Sequence, residues 1–208
     1  MPFTNYALDN YFAQGISELS ECNAPDLAEH SAEVQDLIHN FFLNSIFIFP
    51  IKTEYKPYIF GIIRRVQMAL VEYQNGRTLL LLFLNESKKN KSLYFQALSH
   101  FEIAVTQLYQ AYEFRRKLEK KIESKETKLF EKGDGSSLEK LNRLSNISKH
   151  LETSSTIPEG NLHHVWISNN GICASGVTMS FTELADLVKE YVVALANAFS
   201  NPNQDSIP

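Results

Sequence analysis

Residues 92–112 read SLYFQALSHFEIAVTQLYQAY, and this stretch decides the fold class that the sequence predicts. Apolar residues recur along it every three or four positions, which is the spacing of one face of an α-helix. That face consists of Ala97, Phe101, Ala104, Val105, Leu108, Ala111 and Tyr112. The stretch therefore predicts a long amphipathic helix that Ser92 caps and that continues through a charged segment to near Gly133.

A second long helix is predicted before this stretch, from Pro57 to about Glu86. The pair Asn75 and Gly76 inside it would be typical of a hairpin turn if strands flanked it. The flanking residues are rich in leucine rather than in β-branched residues. We therefore predict a helix that tolerates Gly76 at a cost of about 1 kcal/mol.

The C-terminal third predicts two more helices and a small β-element. Ser136 or Ser137 is expected to cap a helix that runs to about Glu152. Two short apolar runs on either side of an Asn-Asn-Gly turn predict a β-hairpin near residues 165–175. Ser180 and Glu183 have the spacing of a capping box at the start of a final helix.

These elements predict an all-α fold, an up-and-down helical bundle with a small β-hairpin insertion near residues 165–175. Near-helical spacing between positions 32 and 42 adds a helix before the bundle. The predicted organisation is a helical N-terminal extension packing on the bundle (1–50), the bundle (51–200) and a disordered tail (201–208).

Composition excludes several classes of protein. The chain has 208 residues, 44% of them apolar, and a net charge of −4, which gives no overall footprint for nucleic acid. Cys22 and Cys173 lie far apart and favour free thiols in a reducing compartment. The start lacks a secretory signal, and the longest apolar run is too short to span a bilayer. We therefore expect a cytoplasmic protein without membrane, metal or cofactor.

Basic residues concentrate between positions 115 and 128, where glutamates interrupt them. Two interpretations are open: a solvated helix laced with i,i+4 ion pairs, which we favour, or a phosphate-binding surface.

A polar stripe follows on the helix after Ser137. At about 100° per residue, Glu139, Arg143, Asn146 and His150 gather on one side, opposite the leucines. The stripe is either a solvated surface with a Glu139–Arg143 pair or a chemical site. Arg143 and His150 are about 10 Å apart along the axis, so a two-fold dimer with antiparallel copies of the helix would bring each Arg near the partner's His.

The run from Arg143 to His150 resembles the motif of HEPN-domain proteins, in which an Arg and a His are separated by four to six residues. The helix over 94–112 is similar in character to those of bacterial HEPN-like proteins, and the resemblance covers roughly residues 57–199. HEPN proteins are helical bundles, often dimeric. Many are metal-independent endoribonucleases of toxin–antitoxin or phage-defence systems, whereas others bind nucleotides or lack activity.

The resemblance implies that Arg143 binds the scissile phosphate and that His150 assists proton transfer. Catalytic members usually have a polar residue directly after the Arg, whereas this sequence has Leu144; Asn142 or Asn146 would substitute. We count Arg143, His150 and Asn146 as candidate catalytic residues. Candidate substrate-binding residues are Asn142, Lys149 and Glu102.

The implied partners are a second copy of the chain, RNA or a nucleotide, and an antitoxin-type protein. Two alternatives stay open: a non-catalytic HEPN-like interaction or nucleotide-binding module, and a helical scaffold whose stripe faces water.

Four further residue groups have structural interpretations. We expect His100 to be a hydrogen-bonded interfacial histidine. The partly buried Glu102 should pair with an Arg or a hydroxyl, or orient Arg143; Arg64 and Arg65 are candidate partners or surface residues. The pair His163 and His164 lacks the spacing of a metal site. Three aromatic residues are predicted in the core or an interface: Tyr94, Tyr109 and Trp166.

Overall fold

The computed structural model describes residues 7, 9–10, 13–47, 52–124, 127–149, 165–174 and 176–200. Within these ranges the chain forms five helices and three strands. In chain order they are α1 (His30–Phe47), α2 (Lys56–Asn85), α3 (Lys91–Glu123), α4 (Ser137–Lys149), β1 (Val165–Ser168), β2 (Gly171–Ala174), β3 (Val177–Ser180) and α5 (Phe181–Ser200). The prediction of a mainly helical fold with a small β-element is confirmed.

The two long helices, α2 and α3, form an antiparallel pair at the centre of the fold. Gly76 of α2 is buried against Phe101 of α3. Gly61, near the N-terminal end of α2, lies against Phe114 of α3. A Cβ built at Gly76 would come within 3.1 Å of the Phe101 ring and 3.2 Å of the Ala97 carbonyl oxygen. The predicted helix through Gly76 is confirmed, and the missing side chain is what lets the two helices approach.

The ends of α3 correct two expectations. Asn90, and not Ser92, caps the helix, because the Asn90 side chain accepts the Ser92 N–H at 3.0 Å. The helix stops at Glu123 and does not continue to Gly133, because Ser124 adopts a left-handed conformation with φ of 56°. Left-handed backbone cannot continue a right-handed helix.

The β-element has one strand more than predicted. β1 and β2 form the expected hairpin, and β3 pairs antiparallel with β2 to give a three-stranded sheet in the order β1-β2-β3. One face of the sheet is apolar and buried, with Ile167, Ile172 and Met179 aligned across the three strands. β3 buries Val177 and Met179 and exposes Thr178, the alternation of a strand with one face on the core.

The core joins the long helices to the sheet and to α5. The Phe101 ring is completely buried between Tyr73 and Phe181, at centroid distances of 5.7 and 4.9 Å. The buried Tyr94 hydroxyl accepts the Ile167 N–H at 3.1 Å and so ties β1 to α3. Tyr94 therefore has the core position that was expected from the sequence.

The predicted capping box begins α5. The Glu183 N–H donates to the Ser180 hydroxyl at 3.0 Å, and the Ser180 N–H donates to the Glu183 carboxylate at 2.8 Å. The same carboxylate accepts from Lys140 of α4 at 2.6 Å. The start of α5 is therefore also the attachment point of α4.

The N-terminal part packs on this unit, since α1 contacts α2 and α5. The segment before α1 is held by side chains of α2: the Tyr73 hydroxyl donates to the Pro25 carbonyl oxygen and Arg77 donates to that of Ala24. It also reaches the β1–β2 turn, where Ser20 donates its N–H to the Asn169 side chain at 3.0 Å. The predicted disordered tail, 201–208, lies outside the described residues.

Candidate functional site

Helix α4 buries one side and exposes the other. Leu141, Leu144 and Ser145 are at most 1% exposed, whereas Arg143 and Asn146 are exposed. The leucines pack on the bundle because α4 lies against α3 and against the sheet. Arg143 and Asn146, three residues apart on the outer side, are neighbours on the helix surface.

Glu139 does not belong to the exposed stripe. It is 8% exposed, and its two carboxylate oxygens accept the N–H groups of Gly133 and Gly135 at 2.6 and 2.8 Å. The carboxylate therefore closes the turn before α4, where both glycines have positive φ. The Glu139–Arg143 pair, which was the basis of the solvated-stripe interpretation, is not among the ion pairs of the described residues.

Arg143 lies beside the turn before β3. Its Nη2 atom is 3.3 Å from the position that a Cβ would occupy on Gly176, which has a φ of 73°. Among the ion pairs that the described residues form, none includes Arg143. The exposed guanidinium, with its planar fork of donors, therefore has no carboxylate partner among the described residues.

Polar side chains of α4 and α3 form two hydrogen-bonded groups. On α4, the Asn146 side-chain amide donates to the side-chain carbonyl oxygen of Asn142 at 3.1 Å. On α3, the Tyr109 hydroxyl donates to Glu113 at 3.1 Å, and Arg116 donates to the second Glu113 oxygen at 2.9 Å.

The pKa of Tyr109 reflects this arrangement. Burial raises it, and the negative charge and hydrogen bond of Glu113 raise it further, while the Asn142 amide partly offsets the rise. The hydroxyl therefore stays protonated at neutral pH and remains a donor to Glu113.

Tyr109 was expected only as a core or interface residue, so sequence reasoning missed its polar role. The signal was present in the spacing of Tyr109, Glu113 and Arg116 along one side of α3, at intervals of four and three.

Glu102 takes a hydroxyl partner, one of the two pairings expected from the sequence. Ser148 of α4 donates to its Oε1 atom at 3.0 Å, so the carboxylate links α3 to α4 near the C-terminal end of the stripe. Its role toward Arg143 or a substrate stays a prediction. The same holds for Lys149, which is the last residue of α4, and for His150, which lies outside the described residues.

The other polar groups singled out in the sequence are used structurally. His100 of α3 pairs with Glu72 of α2, which makes it the hydrogen-bonded interfacial histidine that was expected. Arg65 donates to Gln107 across the same interface and not to Glu102, and Arg64 is exposed. The pair His163 and His164 lies outside the described residues.

The basic segment of α3 forms ion pairs, two of them within the helix and one with the segment before α2. Arg115 pairs with Glu119 and Arg116 with Glu113, at i,i+4 and i,i+3 spacing. Lys121 pairs with Glu54 at 3.4 Å. These pairs favour the interpretation of a solvated, ion-paired helix over that of a phosphate-binding surface.

A polar cleft of about 510 Å³ lies elsewhere, between the N-terminal segment and the β1–β2 turn. Its lining includes Trp166, which is partly buried, and two carboxylates, Asp9 and Glu18. Two negative charges disfavour a phosphate group, so the α4 face is the better candidate for a polyanion.

The described residues contain no group of three or more His, Cys, Asp or Glu side chains placed to hold a metal ion. None of their helices has the length and apolar character needed to cross a lipid bilayer. Comparison of the chain with family models, with curated proteins and with solved structures finds no match.

Proposed function

We propose that the protein is a HEPN-like, metal-independent endoribonuclease of a toxin–antitoxin or phage-defence system, acting in the cytoplasm. The observation that carries the proposal is the exposed guanidinium of Arg143, which lies beside Gly176 and has no carboxylate partner among the described residues. The amides of Asn142 and Asn146 flank it on the same helix. The resemblance of the run from Arg143 to His150 to the HEPN motif supplies the reaction class.

In this proposal Arg143 binds the scissile phosphate and stabilises the charge that develops on it. His150 takes or supplies a proton as the ribose 2′-hydroxyl attacks, because an imidazole titrates near neutral pH. Asn142, Asn146 and Lys149 add hydrogen bonds and charge along the bound strand. Glu102, through Ser148, fixes the end of α4 on which this set depends.

A homodimer is part of the proposal. Arg143 and His150 are seven residues apart in the sequence, which would be about 10 Å along a continuous helix and too far for both to contact one phosphate comfortably. An antiparallel α4 from a second copy would bring the two residue types together across a two-fold axis. An antitoxin-type protein would then neutralise the enzyme by covering this face.

One observation favours a second candidate, a non-catalytic HEPN-like module that binds RNA or a nucleotide. Leu144, which follows the Arg at the place where catalytic members have a polar residue, is 1% exposed and packs in the core. It offers nothing to a substrate, so binding without cleavage is the natural alternative.

The proposal is tested by cleavage of single-stranded RNA in the presence of EDTA. We expect cleavage by the wild-type chain and a loss of at least about 100-fold for Arg143→Ala, because removing one charged donor from such a site has effects of that order. His150→Ala should lose activity to a similar extent by removal of the proton carrier.

Arg64→Ala is the matched control, since it removes an exposed arginine from α2 and should leave the rate unchanged. RNA binding that depends on Arg143, without cleavage, would select the non-catalytic module. If the chain shows no RNA binding and no RNA cleavage, both proposed functions are contradicted.

A further inference from the structure

One side of α2 faces solvent with the residue spacing of a coiled coil. Between positions 68 and 82 the exposed residues are Met68, Val71, Asn75, Thr78 and Leu82. Their spacing alternates between three and four residues, which is the repeat of the a and d positions where two helices of a coiled coil meet. None of the five is charged, although the solvent side of a helix is ordinarily polar and charged. These five residues form the α2 seam.

The α2 seam is widened by one apolar residue of α3. Two pairs across the α2–α3 contact flank this point: Arg65 with Gln107, and Glu72 with His100. Met68 lies between the two α2 members of these pairs, and Ile103 lies between the two α3 members. Because the helices are antiparallel, Met68 and Ile103 are placed side by side, and they are 43% and 41% exposed. The apolar surface therefore continues onto α3, and the polar groups that flank it are already partnered within the chain.

The α2 seam is also symmetric about its central residue, Asn75. Read in either direction, it presents a long aliphatic, a β-branched, an amide, a β-branched and a long aliphatic side chain. A second α2, antiparallel and related by a two-fold axis at Asn75, would set Met68 against the partner's Leu82 and in the same way Val71 against the partner's Thr78. The Asn75 amide has both donors and an acceptor, so it can pair with its own copy. A single Asn at an a position is a feature that fixes the register of two helices.

Charges at the two ends of the seam favour the antiparallel arrangement. Arg64 lies eleven residues before Asn75 and Glu86 eleven residues after it, and both are exposed. The two-fold axis at Asn75 therefore places each Arg64 opposite the partner's Glu86. A parallel pairing would bring the two copies of Arg64 against each other at a d position, where like charges repel. Glu86 also accepts the Asn90 N–H at 3.3 Å, which keeps its carboxylate at the end of α2.

The size of this face suits a pair of copies. From Arg64 to Glu86 it is about 33 Å long, at about 1.5 Å per residue, and with α3 beside α2 it is about 20 Å wide. Its area is thus about 660 Å², comparable with the roughly 800 Å² that each partner contributes to a standard interface.

We propose that the α2 seam and Ile103 form a two-fold, antiparallel interface with a second copy of the chain, with Asn75 on the axis and Arg64 paired with the partner's Glu86. This interface goes beyond the proposed function. It lies on α2, whereas the candidate site lies on α4, which packs against α3 and the sheet. Variants of the seam, Arg64→Ala among them, leave the α4 face untouched. Together the two pairings would build a tetramer with two kinds of interface.

The first test breaks the seam at Val71 and measures mass by sedimentation equilibrium. Val71→Asp would bury an unpaired carboxylate in the interface, so we expect association to weaken at least about 100-fold and the mass to fall to half that of wild type. Val193→Asp is the matched control, because Val193 of α5 is 41% exposed and Val71 44%. It should leave the mass unchanged, and circular dichroism should show that both variants keep their helices.

The second test exchanges the charges at the ends of the seam. Arg64→Glu should weaken the association by roughly three- to thirtyfold, because two exposed ion pairs become repulsions. The double variant Arg64→Glu with Glu86→Arg restores both pairs with their signs exchanged and should recover the wild-type affinity. A double variant as weak as Arg64→Glu alone would overturn the antiparallel arrangement.

The mass of Val71→Asp also separates this interface from the pairing in the proposed function. If copies pair through α4, Val71→Asp sediments as a dimer and the wild-type chain as a tetramer; if they do not, the two masses are those of a monomer and a dimer. A fall to half the mass supports the α2 interface in either case. A wild-type chain that sediments as a monomer, or a Val71→Asp variant with the wild-type mass, overturns it.

Discussion

At the scale of the residue, the two glycines of α2 that contact α3, Gly61 and Gly76, differ in the aromatic ring that each one faces. The sequence allowed the prediction that Gly76 lies inside a helix, because its flanks are leucine-rich. It could not reveal why a glycine is there, since the reason is the Phe101 ring on another helix. A contact between distant positions leaves no mark on local periodicity.

Gly76→Ala should destabilise the protein by about 1–3 kcal/mol, although alanine is the better helix former. The added Cβ would lie 3.1 Å from the ring of Phe101, which cannot move because Tyr73 and Phe181 enclose it. Denaturant unfolding measures the change.

Gly61→Ala is the matched comparison. Its Cβ would meet the Phe114 ring at the same 3.1 Å, but Phe114 is only partly buried and can shift, so we expect a smaller loss or a gain. A larger loss for Gly61→Ala than for Gly76→Ala would contradict this explanation.

At the scale of the element, α4 owes its position to charged groups at its N-terminal end. Glu139 closes the preceding turn, and Lys140 binds Glu183 at the start of α5. The sequence contained the signal for the Ser180–Glu183 capping box, because that motif is local. It contained no signal that Lys140 also binds the Glu183 carboxylate. The strand β3 was not predicted because it is only four residues long and its last residue, Ser180, belongs to the capping box.

Glu183 makes the free energy of unfolding depend on pH in the acidic range. Burial alone would raise its pKa, but the hydrogen bonds from Lys140 and Ser180 hold the pKa below the usual 4.5. Folding therefore gains stability from this group above pH 4.5, and the gain is lost as the pH falls through the lower pKa of the folded state.

Glu183→Gln should lower the free energy of unfolding at pH 7 by about 0.5–2 kcal/mol, and the loss relative to wild type should shrink as the pH falls through the lowered pKa of the folded state. Unfolding by urea across this pH range measures it. Glu190→Gln, an exposed position on the same helix, is the control and should show no such trend. A loss from Glu183→Gln that is the same at every pH would contradict the role of its charge.

The candidate site on α4 was predicted in part from the periodicity of this one helix. The sequence placed Arg143 and Asn146 on one side of a helix, which the described part of α4 confirms. It wrongly added Glu139 to that side, because helical periodicity ignores the turn that captures its carboxylate. The identity of the Glu102 partner, Ser148 of α4, could not be predicted from either helix alone.

At the scale of the whole molecule, the central claim is that two copies of the chain share the site. The bundle itself does not require a partner for its core, since the apolar face of the sheet and the centre of α3 are already buried. The proposal of a shared site rests instead on the seven-residue spacing of Arg143 and His150 in the sequence, which would be about 10 Å along a continuous helix. That claim concerns function and is independent of the fold.

The most direct measurement mixes two inactive variants, Arg143→Ala and His150→Ala, after unfolding and refolding them together. If each site takes its Arg from one copy and its His from the other, half of the dimers are mixed and each has one intact site. We then expect RNA cleavage at about a quarter of the wild-type rate. A mixture as inactive as its two components, alongside an active wild-type chain refolded in the same way, would contradict it.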